Sequence, residues 1–232
     1  MASEGYVALP LPDRVQVPPE VAVAQAEAFR LSMARRHSVR AFAPDPVPEA
    51  VIRAAVATAA GAPSGANRQP WHFACIGDPG LKRAIREGVE EEERAFYGGG
   101  AGDPWLAALE PLGTGVEKPH LTTAPWLIVV FAERWGEGPG GERWKNYYVP
   151  ESVGIACGFL IAAIHQAGLV TLPHTPNPMR FLNDLLGRPE REKPVMICPV
   201  GYPAADATVP AAAKRKKPFE AICSLHPAPG PE

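Results

Sequence analysis

Apolar positions along the chain recur at two spacings. After Pro18 and Pro19 the run EVAVAQAEAFRLSMARR keeps a helical spacing and predicts a helix ending near Arg36. A second helix is expected over Glu49–Ala60, after the turn-rich APDPVPEA. WHFACIG (71–77) reads as a strand, and DPGLKRAIREGVEEEERAFY as a helix opened by Asp78 and Pro79. WLIVVFA (126–132) has the continuous apolar character of a buried strand. PESVGIACGFLIAAIHQAG (150–168) is apolar on nearly every face, which predicts a central helix that could also pack against a second subunit. LVTLPH and PVMICPVG are further strands. Helices and strands mix without regular βαβ alternation, so the expected class is α+β, a sheet sandwiched by helices.

Proline and glycine crowd 8–19, 98–104, 137–141 and 203–231, which reads as an extended N-terminal arm, two mobile loops and a C-terminal extension. With 232 residues, 46% hydrophobic and 21% charged, the chain can bury a core in one domain with arms. A net charge of -2 gives no reason to expect nucleic acid or an acidic membrane as partner, so anion binding falls to local clusters. No apolar run approaches the roughly 20 residues of a membrane span. The first residues lack a basic region followed by an apolar one, so a soluble, cytoplasmic protein is expected. Cys75, Cys157, Cys198 and Cys223 are widely spaced without a CxxC, and are expected as buried free thiols, with neither a disulfide frame nor a metal site.

Three segments are compatible with an anionic ligand. RRHSVRAF (35–42) sets three arginines around a histidine and a serine at a helix end, where arginine is also favourable without any ligand. GAPSGANRQPW (61–71) is a small-residue loop where a ligand can approach the backbone, or a plain turn. KRKKP (214–218) is a basic tail or a third contact.

In their order along the chain these segments resemble the nitroreductase-like flavoprotein superfamily, and within it the iodotyrosine deiodinase family. The likeness continues through EEEERAFY, TTAPWLIVVF, YYVPESVGIACGFLIAAIHQAGLVT, TPNP, LLGRP and PVGYPAADATVP, over about residues 25–222. It implies a three-layer α+β fold with a central mixed sheet flanked by helices, in a domain-swapped homodimer with one FMN at each of two interface sites. Residues 1–24 would then be an arm, 25–222 the FMN-binding domain with a lid over about 90–120, and 223–232 a tail.

Carried over by position, Arg36, Ser38 and Arg40 would hold the FMN phosphate and the pyrimidine edge of the flavin, where guanidinium groups can make bidentate contacts. Pro63, Ser64 and Gly65 match the loop beneath the isoalloxazine, and Thr175 matches the threonine facing flavin N5, the one residue given a catalytic role. The tail departs from the family, with Lys216 where arginine is usual and Arg215 one residue earlier; either could reach the phosphate. Glu93 and Tyr97, four apart on one helix face, and Lys118 match the family's clamp on an amino acid zwitterion. Glu93 would take the ammonium and Lys118 the carboxylate, while Tyr97 covers the ring and the Ala66 amide meets the phenolate. Glu93 also belongs to a run of four glutamates that could be a solvated face.

The resemblance implies FMN-dependent reductive deiodination of 3-iodo-L-tyrosine and related halotyrosines. The flavin would be reduced by NAD(P)H directly or through a flavin- or ferredoxin-type reductase. The alternative is an NAD(P)H-dependent nitroreductase or quinone reductase of the same superfamily; a non-catalytic flavin-binding protein is a third reading.

Overall fold

The computed structural model describes residues 5–11 and 14–227, and the chain divides into two units, 1–36 and 37–232. The helices are α1 (Pro19–Ala34), α2 (Glu49–Ala60), α3 (Pro79–Ala95), α4 (Asp103–Leu109), α5 (His120–Thr123), α6 (Val149–Gln166) and α7 (Phe181–Leu185). The strands are β1 (Trp71–Ile76), β2 (Trp126–Glu133), β3 (Trp135–Glu137), β4 (Arg143–Lys145), β5 (Val170–Thr171) and β6 (Glu192–Gly201).

The first unit, taken by itself, is an extended arm leading into α1. Proline at the first helical position starts this helix, and it stops where expected, with Arg35 as its C-cap. None of its residues is buried. This helix, which buries none of its residues, falls with the arm in the first unit.

The second unit is built on a sheet of order β1-β2-β6-β5, with every strand pairing antiparallel. A bridge between Ser38 and Thr171 is the only parallel pairing among the described residues, so the sheet is mixed through that one contact. Alternation along β2 makes the three layers. Ile128, Val130 and Ala132 pack with Cys198 and Val200 against Ile52 and Ala55 of α2 and Val153 and Leu160 of α6. Leu127, Val129 and Phe131 pack on the opposite face with Ile85 and Val89 of α3 and Leu182 of α7. Each of these large side chains contributes roughly 2 kcal/mol by leaving water.

α3 opens as its sequence dictates: Asp78 is the N-cap, its carboxylate accepting from the Leu81 amide at 2.7 Å. α6 corrects one expectation, because over 18 residues its mean hydropathy is 1.3, enough in length and composition to span a membrane. Its buried residues, Ser152, Val153, Ala156, Cys157, Leu160 and Ile164, are however inside the protein, while Ile155 and Phe159 are exposed.

The segments expected as mobile loops carry structure. Residues 98–104 hold the end of a π-helical turn (Phe96–Gly100) and the start of α4, and 137–141 form the turn joining β3 to β4. The strand expected over LVTLPH shrinks to Val170–Thr171, since Pro173 has no N–H to continue the ladder. Within 203–227 the chain makes two 3-10 turns, at Ala211–Lys214 and Phe219–Ala221, and the rest of the expected tail lies outside the described residues. All four cysteines are free. Burial pushes the thiols of Cys157 and Cys198 up to about 11 and about 12, but Cys75 is exposed on β1 and Cys223 only half-buried, both against expectation.

Candidate active site

Four stretches of the second unit converge on one cavity of about 370 Å³. α3 runs without a break into the π-helical turn, so Glu93 and Tyr97 lie on successive turns of one face. The Ser38–Thr171 bridge lays 38–40 beside β5, which brings Arg40 to the cavity wall together with residues 173–177. Trp105 and Leu109 of α4 close another side, followed by Thr114 and Lys118.

The wall of the cavity carries an ion pair. Lys118 Nζ lies 3.2 Å from Glu93 Oε2, and Lys118 is only 2% exposed. Its ammonium also donates to the Gly115 carbonyl and, at 3.4 Å, to Thr114 Oγ1. Burial lowers its pKa, and the adjoining Glu93 carboxylate partly restores it. The Lys118 backbone is fixed too: its amide donates to Glu90 Oε1 at 2.7 Å, and Glu90 accepts from Arg86 Nε at 2.7 Å. Burial alone would raise the Glu90 pKa, but these two donors hold it below the usual carboxylate value. The run of four glutamates is therefore not one solvated face, since Glu90 and Glu93 turn inward. Tyr97 donates its hydroxyl to the Thr114 carbonyl at 3.1 Å, and its ring lies 5.7 Å from Lys118 Nζ. Arg40 lines the wall with no carboxylate within ion-pair distance among the described residues, and burial lowers its pKa. A half-buried guanidinium without a partner calls for an anion or a carbonyl from outside the chain.

One residue lining the cavity, and a second packed against it, gave no signal in the sequence. His174 and His120 are 9% and 3% exposed, with ring centroids 5.8 Å apart. Burial, and then the cations Lys118 and Arg40, push His120 down to about 4; burial, Lys118, His120 and Arg40 push His174 down to about 3. Both stay neutral at pH 7. The unfolded chain, with histidines near 6.5, takes up protons that the fold refuses, so stability is full above about pH 6.5 and is lost as pH falls from there through the folded values. The urea midpoint is therefore expected to drop between pH 7 and pH 5, before most carboxylates titrate, and to drop less in His120→Leu.

The remaining expected site residues stand elsewhere. Pro63, Ser64, Gly65 and Ala66 form a tight loop at the end of α2, where the Ser64 hydroxyl accepts from the Gln69 amide at 2.9 Å and the Gly65 amide donates to Ser152 Oγ at 3.4 Å. Ala66, Asn67 and Gln69 take φ values of 50°, 52° and 49°, a backbone conformation that side chains disfavour and that clusters at functional sites. Glycine at 65 has a reason inside the protein: a Cβ there would meet the Tyr147 carbonyl oxygen at 2.8 Å and the Tyr148 ring at 2.9 Å. Thr175 lines the cavity and its side chain is open to it, but the 63–66 loop does not. Ser38 is half-buried at the bridge. Arg36 ends the first unit, half-buried, its amide donating to the Met33 carbonyl at 3.1 Å. Arg215 and Lys216 are both exposed after the turn at Ala211–Lys214, which packs against Glu110–Leu112, and nothing in their setting favours one over the other.

Comparison with known proteins places the chain in a family. The nitroreductase family model matches residues 33–202. The iodotyrosine deiodinase of Haliscomenobacter hydrossis is 49% identical over 202 residues, covering 87% of this chain and 91% of its own. Iodotyrosine deiodinase 1 of Homo sapiens is 42% identical over 206 residues, covering 88% and 71%. Among solved structures, oxidized iodotyrosine deiodinase bound to FMN and 3-iodo-L-tyrosine superposes with a TM-score of 0.69 at 30% identity, over 86% of this chain and 99% of that one. A Bacteroides fragilis nitroreductase with bound FMN, at 20% identity and a TM-score of 0.63, shares the fold. With its three-layer sheet and the order of its motifs, the chain belongs to the nitroreductase family and groups there with the iodotyrosine deiodinases.

Proposed function

We propose that this protein is an FMN-dependent reductive dehalogenase that converts 3-iodo-L-tyrosine and related halotyrosines to tyrosine and halide. The observation that carries this reading is the Glu93–Lys118 pair, one buried anion and one buried cation set side by side in the cavity wall, with the Tyr97 ring beside the ammonium. A zwitterionic amino acid satisfies both charges at once: its ammonium takes Glu93 and its carboxylate takes Lys118. A simple nitroaromatic or quinone would satisfy neither, which sets the nitroreductase alternative behind.

The residues present fit FMN. Arg40 is a half-buried guanidinium without a carboxylate, as a flavin carbonyl or phosphate requires, and Ser38 precedes it by two residues. Lys216 or Arg215 would be a further phosphate contact. Pro63, Ser64 and Gly65 would support the ring, and the Ala66 amide would receive the phenolate. FMN, when bound and reduced, would supply the two electrons that, with one proton, replace the carbon–halogen bond with carbon–hydrogen and release halide. The chain's own part is to bind, orient and exclude water. Glu93, Tyr97 and Lys118 would hold the amino acid end, Trp105 and Leu109 of α4 line the same cavity, and the Thr175 hydroxyl would be the donor to the flavin's reactive edge.

A homodimer belongs to this reading, supported by the exposed apolar Ile155 and Phe159 of α6 and Phe29 and Leu31 of α1, which a second copy would cover. Electrons would come from NAD(P)H directly or through a flavin- or ferredoxin-type reductase, in the cytoplasm.

The test is equilibrium binding followed by turnover. Quenching of bound-FMN fluorescence by 3-iodotyrosine at low micromolar concentration, with little turnover of a nitroaromatic, is expected; strong nitroreduction without iodotyrosine binding would favour the alternative. Thr175→Ala is expected to leave iodotyrosine affinity within about threefold and lower the dehalogenation rate about tenfold or more, the usual cost of one well-placed donor. Stopped-flow reoxidation of the reduced flavin by substrate reads that change.

A further inference from the structure

The Glu93 carboxylate has two neighbours, and the zwitterion clamp accounts for one of them. Oε2 faces Lys118, while Oε1 lies 3.7 Å from Nε2 of His174. His174 is anchored to β6. Its amide donates to the Ile197 carbonyl at 2.9 Å and its carbonyl accepts from the Ile197 amide at 2.8 Å, so β6 fixes its backbone. The His120 ring meets it edge to face. Yet the Nε2 atoms of both histidines are buried without a hydrogen-bond partner, and an unsatisfied buried polar atom is costly.

The charges around His174 explain why it can serve Glu93 without competing for it. It faces Lys118 and Arg40, both cations, the Glu93 carboxylate and the neutral His120. Burial and the two cations keep the imidazole neutral at physiological pH. A neutral imidazole with its proton on Nε2 would be a donor, and Oε1 at 3.7 Å is the carboxylate oxygen beside it, within reach once either side chain moves closer. A protonated imidazole there would instead be a third cation, taking the place that a ligand's ammonium needs.

We infer that His174 is a specificity-determining residue of this site: its neutral Nε2–H holds Glu93 Oε1, so that the carboxylate keeps its aim at the ligand's ammonium when Lys118 turns to the ligand's carboxylate. This rests on the zwitterion reading above and adds a positioning residue that reaches the substrate only through Glu93. Ligands with an α-ammonium depend on it, and ligands without one do not.

The test uses the FMN-loaded protein and three probes: 3-iodo-L-tyrosine, its des-amino analogue 3-(4-hydroxy-3-iodophenyl)propanoate, and 2-iodophenol. Dissociation constants are read from quenching of flavin fluorescence in the unaltered protein, His174→Leu and His174→Gln, with FMN content and thermal unfolding as checks on folding. His174→Leu is expected to weaken 3-iodotyrosine about tenfold, the worth of one hydrogen bond to a charged group, and to leave the other two probes within about twofold. His174→Gln, which restores a neutral donor, is expected to recover most of the loss. If the unaltered protein prefers 3-iodotyrosine to its des-amino analogue and His174→Leu keeps that preference, or weakens all three probes alike, the inference is overturned while the substrate reading stands. If the unaltered protein shows no such preference, the zwitterion reading fails and the inference falls with it.

Discussion

Lys118→Ala is expected to lower the affinity for 3-iodo-L-tyrosine at least a hundredfold and to destabilise the fold by about 3 kcal/mol, the largest combined effect of any single change in the cavity. Both follow from the burial of the ammonium, which is 2% exposed and 3.2 Å from Glu93. Removing one partner of a buried pair leaves the other charge uncompensated, at a cost of roughly 3–5 kcal/mol when the pair is fully dry. Glu93 is 12% exposed at its side chain, so water recovers part of that and the lower figure applies. The ligand loses its carboxylate contact and meets an unpaired anion in the same step. Lys118→Met, which keeps the volume, is expected to retain more stability but no more affinity. Fluorescence titration and urea unfolding of the FMN-loaded protein separate the two terms. A variant as stable as the parent, with affinity reduced less than tenfold, would show that the pair is not the substrate clamp.

Gly65→Ala carries the second large effect, and it acts on the cofactor. The added Cβ would lie 2.8 Å from the backbone oxygen of Tyr147 and 2.9 Å from the Tyr148 ring. A ring can turn aside, but a carbonyl oxygen held just ahead of α6 cannot, so the 63–66 loop must shift. Overpacking of this kind costs about 1–3 kcal/mol. The loop has little freedom to absorb it, since three neighbouring residues already hold positive φ values near 50°. FMN retention after gel filtration is expected to fall to less than half, with a lower unfolding temperature. Full retention would mean that the loop does not support the flavin.

The sequence spoke clearly wherever periodicity was long. The β2 run is an unbroken apolar segment and its place in the central layer follows from that alone, while α6, apolar over most of its length, covers one face of the sheet and leaves Ile155 and Phe159 exposed. Short or glycine-interrupted elements were silent: β3 and β4 are three residues each, and the turn between them read as a loop because glycine and proline dominate it. α4 was hidden for the same reason, its start masked by the glycines before it. Within the site, Glu93 and Tyr97 were legible through helical spacing and Lys118 through its motif, but the ion pair between Glu93 and Lys118 was a matter of packing. The histidines were the least legible. They lie more than fifty residues apart with no shared motif, and only the pairing of 174 with 197 on β6 sets one ring against the other. A histidine wedged between Pro173 and Thr175-Pro176 is at most a hint of a fixed turn.

The central claim is reductive dehalogenation, and a single anaerobic turnover tests it most directly. The purified protein's flavin is reduced with a stoichiometric amount of dithionite, mixed with 3-iodo-L-tyrosine without air, and followed by its visible spectrum while tyrosine and iodide are quantified. One tyrosine and one iodide per flavin reoxidised is the expected result. Flavin that stays reduced in the presence of saturating iodotyrosine, yet reoxidises at once with a nitroaromatic, would contradict the account.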